Sequence, residues 1–405
     1  MNPLGVVAVM AAHWESASEE GWITRQVAGA LACESEVHVV TPDGPSSGTS
    51  VDGAFTLHRL GAPIDPVAET RRGLLVEGLA RSGHPATPHP ATPLSDQLTT
   101  LIDRDLLGPW EAAADVLRAL QPDLVVIAGH QNVGARSAAQ QGAPDVPLTL
   151  VALGSDPHSV AFPRFGPMFA SADSVLAVTE MERKSIVDHH GGEAKTTRIG
   201  APMAANLSSL TEPNTWVGST DYILVVTGTK SDSNHEESEL SRLIRLSFPD
   251  NPVGVCHTDG FFVWHQGRLN RGWPVERSGD MARLMAWARV TVDLHPSPLF
   301  ARRCVESLLY GTPFVVPERT RAQEHAQLGK GGLWFNSPAE LTWCIEALLE
   351  PATRNAFSAQ GRSYAEAEYG STDRFIDRVV ETGRNAIESR GNARQIPTVV
   401  VTDRS

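Results

Sequence analysis

The sequence predicts an α/β protein of two domains, each built on a doubly wound parallel sheet. Three observations carry this. Short β-rich apolar runs alternate with helical stretches, the alternation restarts near the midpoint, and the chain is 405 residues long. Such alternation produces βαβ units whose strands are buried on both faces. A chain of this length exceeds one ordinary core, so two domains of roughly 150–200 residues follow.

The first strand is read at 4–10, LGVVAVM; with no basic region before it, the run is a strand and not a secretory signal. His13–Gly21, HWESASEEG, connects it to a helix over Gly21–Ala32, whose apolar residues recur on one face. Strands follow at 36–41, 55–60, 123–128, 148–153 and 174–179, and Thr179 is placed to cap a helix beginning at Glu180. Ser82–Leu94 repeats PATP and reads as a loop, which makes His84 and His89 ordinary loop residues.

Asp221–Gly228, DYILVVTG, opens a second first strand, with a helix through Leu240–Phe248. Further strands are expected near 253–257, 261–264, 290–294 and 313–316, and helices near 280–288, 302–310 and 338–349. The predicted division is an N-terminal domain over 1–205, a polar linker over 206–219 and a C-terminal domain over 220–385. There is room for the last helix to pack back on the first domain, and 386–405 are expected to form a flexible tail.

Composition excludes several classes. With 34 basic and 47 acidic residues the formal charge is −13, which repels polyanions and argues against general nucleic-acid binding. A local basic pocket for phosphate is compatible with that balance. Cys33, Cys256, Cys304 and Cys344 are widely spaced without a C-x-x-C pair, as for reduced core residues of a cytoplasmic protein that form neither disulfides nor a zinc site. No window approaches the ~20 apolar residues of a membrane-spanning helix. P-loop and H-E-x-x-H patterns do not occur, and the acids of SDSNHEESE lack the spacing of a calcium loop.

The segment richest in chemistry is Thr291–Pro317, TVDLHPSPLFARRCVESLLYGTPFVVP. A buried strand ends at His295-Pro296-Ser297, a helix starts near Ala301 or Arg302, and Gly311 closes it. An anion at that helix start meets outward amides and the positive end of the dipole. Arg302 and Arg303 can add charge-assisted bonds, and the Glu306 carboxylate can accept two hydrogen bonds from a vicinal diol such as ribose.

Ser297, Phe300, Glu306, Gly311, Thr312 and Pro313 stand where glycosyltransferase family 4 carries its donor-binding block, and the segment resembles that block. LGKGGLWFNSPAELTWCIEALL is similar to the family's closing segment, and FASADSVLAVTEMER to a run in its first domain. The likeness runs over about 4–385 and implies the GT-B fold: two Rossmann-like doubly wound domains facing across a cleft. It further implies a retaining, metal-independent transfer of a hexosyl unit from a nucleoside diphosphate sugar to a hydroxyl acceptor, with no cofactor beyond that donor. The implied partners are the nucleotide-sugar and a small-molecule, glycan or glycolipid acceptor. Peripheral membrane contact stays open.

Residue by residue, the resemblance assigns Glu306 to the donor ribose and the amides of Phe300, Ala301 and Arg302, beside Ser297, to the diphosphate or sugar. Lys230 falls near the place of the family's phosphate cation, with Asn234 and His235 where a following lysine would stand. Gly21 corresponds to a loop glycine near the diphosphate. His130 and Asp156 lie just past predicted strands, where open α/β sheets bind ligands, and on the acceptor side by resemblance. Local capping or packing is the competing reading of both.

The chain also departs from the pattern. Pro298 stands where the family has its first glutamate, and Leu299 and Ala301 replace glycines around Phe300. A proline supplies neither charge nor N–H. Besides an active transferase, the sequence therefore admits a catalytically degenerate relative acting as nucleotide-binding or scaffolding partner. A GT-B epimerase or phosphorylase is a third reading.

Overall fold

The computed structural model describes residues 4–12, 14–15, 18–42, 47–61, 110–129, 132–153, 166–203, 222–227, 239–257, 260–266, 268–273, 278–296 and 300–395. The chain divides into two compact units, Met1–Ala201 with Asp373–Ser405, and Pro202–Thr372.

In the first unit β1 (Gly5–Ala11) leads to α1 (Glu19–Ala32), β2 (Ser35–Thr41), β3 (Ser47–Asp52) and β4 (Phe55–Leu60). Then come α2 (Ala113–Leu120), β5 (Leu124–Ala128), α3 (Val133–Gly142), β6 (Leu148–Ala152), α4 (Gly166–Ser171), β7 (Ser174–Ala177), α5 (Glu180–His190) and β8 (Thr196–Arg198). The strands lie in the order β3-β4-β2-β1-β5-β6-β7-β8. Val7, Ala8, Val9 and Met10 of β1 are fully buried, as an interior strand covered on both faces requires. Thr179 caps α5, its hydroxyl accepting from the amide of Glu182 at 3.2 Å, as the sequence predicts.

The second unit contains β9 (Tyr222–Val226), α6 (Glu239–Ser247), β10 (Val253–His257), β11 (Gly260–His265), β12 (Arg268–Trp273), α7 (Ser278–Trp287) and β13 (Ala288–Asp293). It continues with α8 (Arg302–Leu309), β14 (Phe314–Pro317), α9 (Arg321–Gly329), β15 (Gly332–Phe335), α10 (Pro338–Leu349) and α11 (Pro351–Tyr369). Its sheet order is β12-β11-β10-β9-β13-β14-β15.

Both sheets are dominated by parallel pairs, as the sequence predicts, with antiparallel strands toward one edge. β3 pairs antiparallel with β4, and β11 pairs antiparallel with both β10 and β12. The cause is connection length: residues 258–259 alone join β10 to β11, and a parallel crossover needs a dozen residues or more. β3 and β12 escape sequence reading because SGTSVD and RLNRGW lack an apolar alternation, the former strand being almost wholly exposed.

The last helix, α12 (Thr372–Gln395), falls largely in the first unit and runs past residue 386, where a flexible tail is expected. Arg390 holds that stretch: its Nη1 lies 3.2 Å from Asp173 Oδ1 and its Nη2 donates to the Pro144 carbonyl. Six residues earlier Arg384 pairs with Glu34. The cysteine reading also needs one correction: Cys33 is exposed, while Cys256, Cys304 and Cys344 are buried. Burial pushes the Cys256 and Cys344 thiols up to about 11, so both stay protonated at neutral pH. No described helix is long and apolar enough to cross a membrane.

Candidate functional site

The candidate donor site is built where β13 hands over to α8. Asp293, the last residue of β13, is fully buried. Its Oδ1 accepts from the amide of His295 at 3.2 Å, and its Oδ2 lies 3.7 Å from Arg303 Nε. A buried carboxylate needs such compensation, so Arg303 is tied to the strand end.

The helix starts without a conventional cap. Ala301 takes the N-cap place at φ 55 and ψ 47, and its side chain caps nothing. Left-handed backbone costs a residue with a Cβ about 1–2 kcal/mol. No acidic residue lies in the first turn, which begins with Arg302 and Arg303. The amides of a first turn point out of the helix end, and the dipole there is positive.

Arg302, Glu306 and Tyr310 recur every four residues and form one stripe along α8. Arg302 Nε donates to Glu306 Oε1 at 2.8 Å, with the two side chains 39 % and 22 % exposed. Ion pairs this open to water are weak, so each member can exchange its partner for a ligand at low cost. The Tyr310 phenol is pushed up by burial and further by the charge of Glu306, with Arg302 opposing. Ser307 holds the helix to its surroundings: its Oγ lies 2.9 Å from both Thr291 Oγ1 and the Thr312 carbonyl oxygen, its single hydrogen shared between them. Gly311, at φ 78, ends the helix.

Phe300 is placed differently from a ligand-facing side chain. Its ring is fully buried, edge-on to His325 and Tyr369 with centroids 5.4 and 5.2 Å away. Any ligand would therefore meet Phe300 through its backbone. Ser297, the neighbouring Pro298 and Leu299, Lys230, Asn234, His235, His130 and Asp156 lie outside the described residues.

In the first unit the turn after β1 is tied down. Trp14 is buried edge-on to Phe55, its carbonyl accepts from Arg25, and Glu15 holds Arg59 at 2.6 Å. The helix starts earlier than the sequence suggests. Ser18 is the N-cap, accepting from the amide of Gly21 at 3.2 Å, so Gly21 sits inside the first turn of α1 and not in the preceding loop. A serine followed by two acids satisfies the helix start before the apolar periodicity becomes visible. Nearby, Gly129 at the end of β5 adopts φ 89; a Cβ on it would lie 3.1 Å from Asn132 Nδ2 and 3.2 Å from Glu20 Oε1.

Of the residues read from sequence, the structure thus joins Phe300, Ala301, Arg302, Arg303 and Glu306 in one local constellation. Sequence reading misses Asp293, Tyr310 and His325. Tyr310 is signalled only by its spacing from Glu306; His325 stands on another helix with no local motif to mark it.

No known protein family matches the sequence, and no curated protein matches it either. Solved structures do. Anabaena HepE in complex with UDP-glucose aligns over 96% of this chain and 99% of its own, at 13% identity and a TM-score of 0.55. A UDP-forming α,α-trehalose-phosphate synthase from Burkholderia vietnamiensis aligns over 94% and 99%, at 12% identity and 0.61. The N-terminal domain of a trehalose-6-phosphate phosphatase from Candida albicans aligns over 94% and 97%, at 8% identity and 0.59. At such identities the likeness shows the fold: this chain has the GT-B architecture, two α/β units with parallel-dominated sheets.

Proposed function

We propose that this protein is a glycosyltransferase, moving a hexosyl unit from a nucleoside diphosphate sugar to a hydroxyl acceptor. The observation that carries the reading is the start of α8. An uncapped, acid-free helix end follows a central strand, with Arg302 and Glu306 on its open stripe. The shared fold with HepE, crystallised with UDP-glucose, supports the same reading.

On this reading the diphosphate sits against the first amides of α8, and Arg302 swings from Glu306 to a phosphate oxygen. Glu306, so released, accepts from both ribose hydroxyls. Arg303 acts from its place beside Asp293, with Lys230, Ser297 and the backbone of Phe300 and Ala301 completing the donor side. Charge builds on the leaving diphosphate, and fixed donors aimed at it stabilise the transition state.

The transfer is read as retaining. The sugar C1–O bond to the diphosphate breaks, the acceptor oxygen bonds to C1 on that same face, and the acceptor proton passes to the departing diphosphate. Neither a paired set of catalytic carboxylates nor a metal or further cofactor enters this scheme. His130 and Asp156 with Gly21 are assigned to the acceptor side, and the acceptor class is a small-molecule, glycan or glycolipid hydroxyl.

One set of observations favours a second reading, a degenerate relative that binds nucleotide or scaffolds an active enzyme. Arg302 and Arg303 each already meet a carboxylate, and Pro298 replaces an expected one. The same fold also forms part of a protein named as a phosphatase. Donor hydrolysis separates the two readings: slow release of nucleoside diphosphate belongs to a transferase, binding without turnover to a partner protein.

The test is calorimetry and thermal shift with UDP, GDP, ADP and TDP and their sugars, on wild type and Glu306→Ala. One nucleotide should bind and raise the melting temperature by mass action, with affinity reduced at least about tenfold in the variant. Absence of binding at millimolar concentration sinks the donor reading.

A further inference from the structure

Behind the donor-facing stripe lies a polar and aromatic bracket to which the proposed chemistry assigns no role. His325 of α9 is fully buried, and its Nε2 lies 2.8 Å from the carbonyl oxygen of Phe300. A carbonyl oxygen only accepts, so Nε2 carries the hydrogen of that bond. On the far side of the ring, Nδ1 faces the hydroxyls of Tyr364 at 3.3 Å and Tyr369 at 3.5 Å, which are themselves 3.3 Å apart. Tyr364 is seated against a glycine: a Cβ on Gly329 would lie 2.6 Å from its Cδ1.

The position of this bracket gives it significance. Ala301 is left-handed without being glycine, and such a conformation persists only where its surroundings over-determine it. The Phe300 ring is held in its aromatic slot, and the Ala301 carbonyl accepts from the amide of Cys304 at 2.9 Å. Neither contact fixes the peptide plane between Phe300 and Ala301. The His325 bond does. Rotation of that peptide changes φ at Ala301, and with it the direction in which α8 presents its first amides and Arg302.

We propose that His325 is a positioning residue of the donor site. Its Nε2–H bond clamps the Phe300–Ala301 peptide and so holds α8 aimed at the diphosphate, while Tyr364 orients the imidazole from behind. The inference rests on the nucleotide-sugar reading for its ligand and on geometry alone for the clamp.

Two substitutions in the full chain separate clamping from packing. His325→Phe keeps an aromatic ring and removes the donor, whereas His325→Gln keeps an amide N–H near the position of Nε2. Each variant is crystallised and titrated with UDP, GDP, ADP and TDP. In the phenylalanine variant Ala301 should leave the left-handed region, and nucleotide affinity should fall about tenfold, the size of one lost buried hydrogen bond. The glutamine variant should keep both properties. A phenylalanine variant with Ala301 still left-handed and affinity unchanged overturns the proposal, as does a glutamine variant as impaired as the phenylalanine one. Should His325→Phe not fold, Tyr364→Phe takes its place; unchanged affinity with an unmoved imidazole then overturns the proposal, and a displaced imidazole with weakened binding supports it. If wild type binds none of the nucleotides, the donor reading falls, and φ at Ala301 in the variant crystals alone decides the clamp.

Discussion

Two helix starts in this molecule each follow an interior strand and are finished in opposite ways. α1 follows β1, an interior strand of the first sheet, and α8 follows β13, an interior strand of the second. At α1 the end is satisfied from within: Ser18 accepts from the amide of Gly21, and Glu19 and Glu20 place carboxylates in the first turn. At α8 the cap position is a left-handed alanine, and the first turn carries two arginines. The dipole is the same at both ends, yet the first already holds its anions and the second is arranged to receive one. On the proposed donor reading this difference places the phosphate in the second unit, and it follows from a handful of local residues, not from the fold.

The comparison can be broken most severely by giving α8 the character of α1. Arg302→Glu puts a carboxylate at the helix start and a like charge one turn from Glu306. Nucleotide affinity should drop roughly a hundredfold by calorimetry, the loss of a charge-assisted bond compounded by repulsion. An affinity within threefold or so of wild type would show that α8 does not hold the phosphate.

Next come two glycines with positive φ, one near each helix. Gly129 combines φ 89 with crowding by Asn132 and Glu20, while Gly311, at φ 78, has open space around a built Cβ. Gly311→Ala should cost about 1–2 kcal/mol, the left-handed penalty alone. Gly129→Ala should cost more, because Glu20 must also give way at the start of α1. Chemical denaturation of each variant ranks them, and equal losses would mean that Glu20 is not held against Gly129.

Ser18→Ala removes the internal cap of α1. A loss of about 1 kcal/mol is expected, a melting shift of roughly 2–4 °C for a unit of this size. Nucleotide affinity should be unaffected. Weakened binding there would move the phosphate site toward the first unit and reverse the comparison.

The smallest effect concerns pH. In the first unit His38 Nδ1 and His58 Nε2 are 3.0 Å apart, with Glu36 bonded to the other side of His38. Burial, and then the charge of His38, holds the His58 imidazole below its ordinary value of 6.5. The unfolded chain takes up that proton at higher pH, so the stabilisation is complete above 6.5 and fades as pH falls below it. Between about pH 7 and about pH 5 the melting temperature of wild type should therefore fall more steeply than that of His58→Gln. Parallel slopes would mean that the pair does not titrate on unfolding.

Much of the fold was legible. β1, β5, β6 and β9 are dense apolar runs because both faces are covered, and their signal survives without neighbours. Thr179 before two acids announces the start of α5 for an equally local reason. β3 and β12 lie at sheet edges, where half the backbone has no strand to pair with and polar side chains suffice. Within the site, Arg302, Arg303 and Glu306 were legible because they stand together at one predicted helix start, in a segment that resembles a known donor-binding block. The partners of Arg303 and Phe300, by contrast, come from another strand and another helix, ten residues away for Asp293 and twenty-five for His325.

The sequence by itself therefore determined where the buried central strands form, that strands and helices alternate to build two α/β units, and which helix start lacks acids. Those properties depend on residues within a turn or two of one another. Only the tertiary structure decided that the sheets are mixed at their edges, that Gly21 belongs to a helix, and that His325 meets the Phe300 carbonyl ahead of Ala301. Each of these depends on where a hydrogen bond finds its partner. For a buried polar group, that partner is chosen by packing and not by distance along the chain.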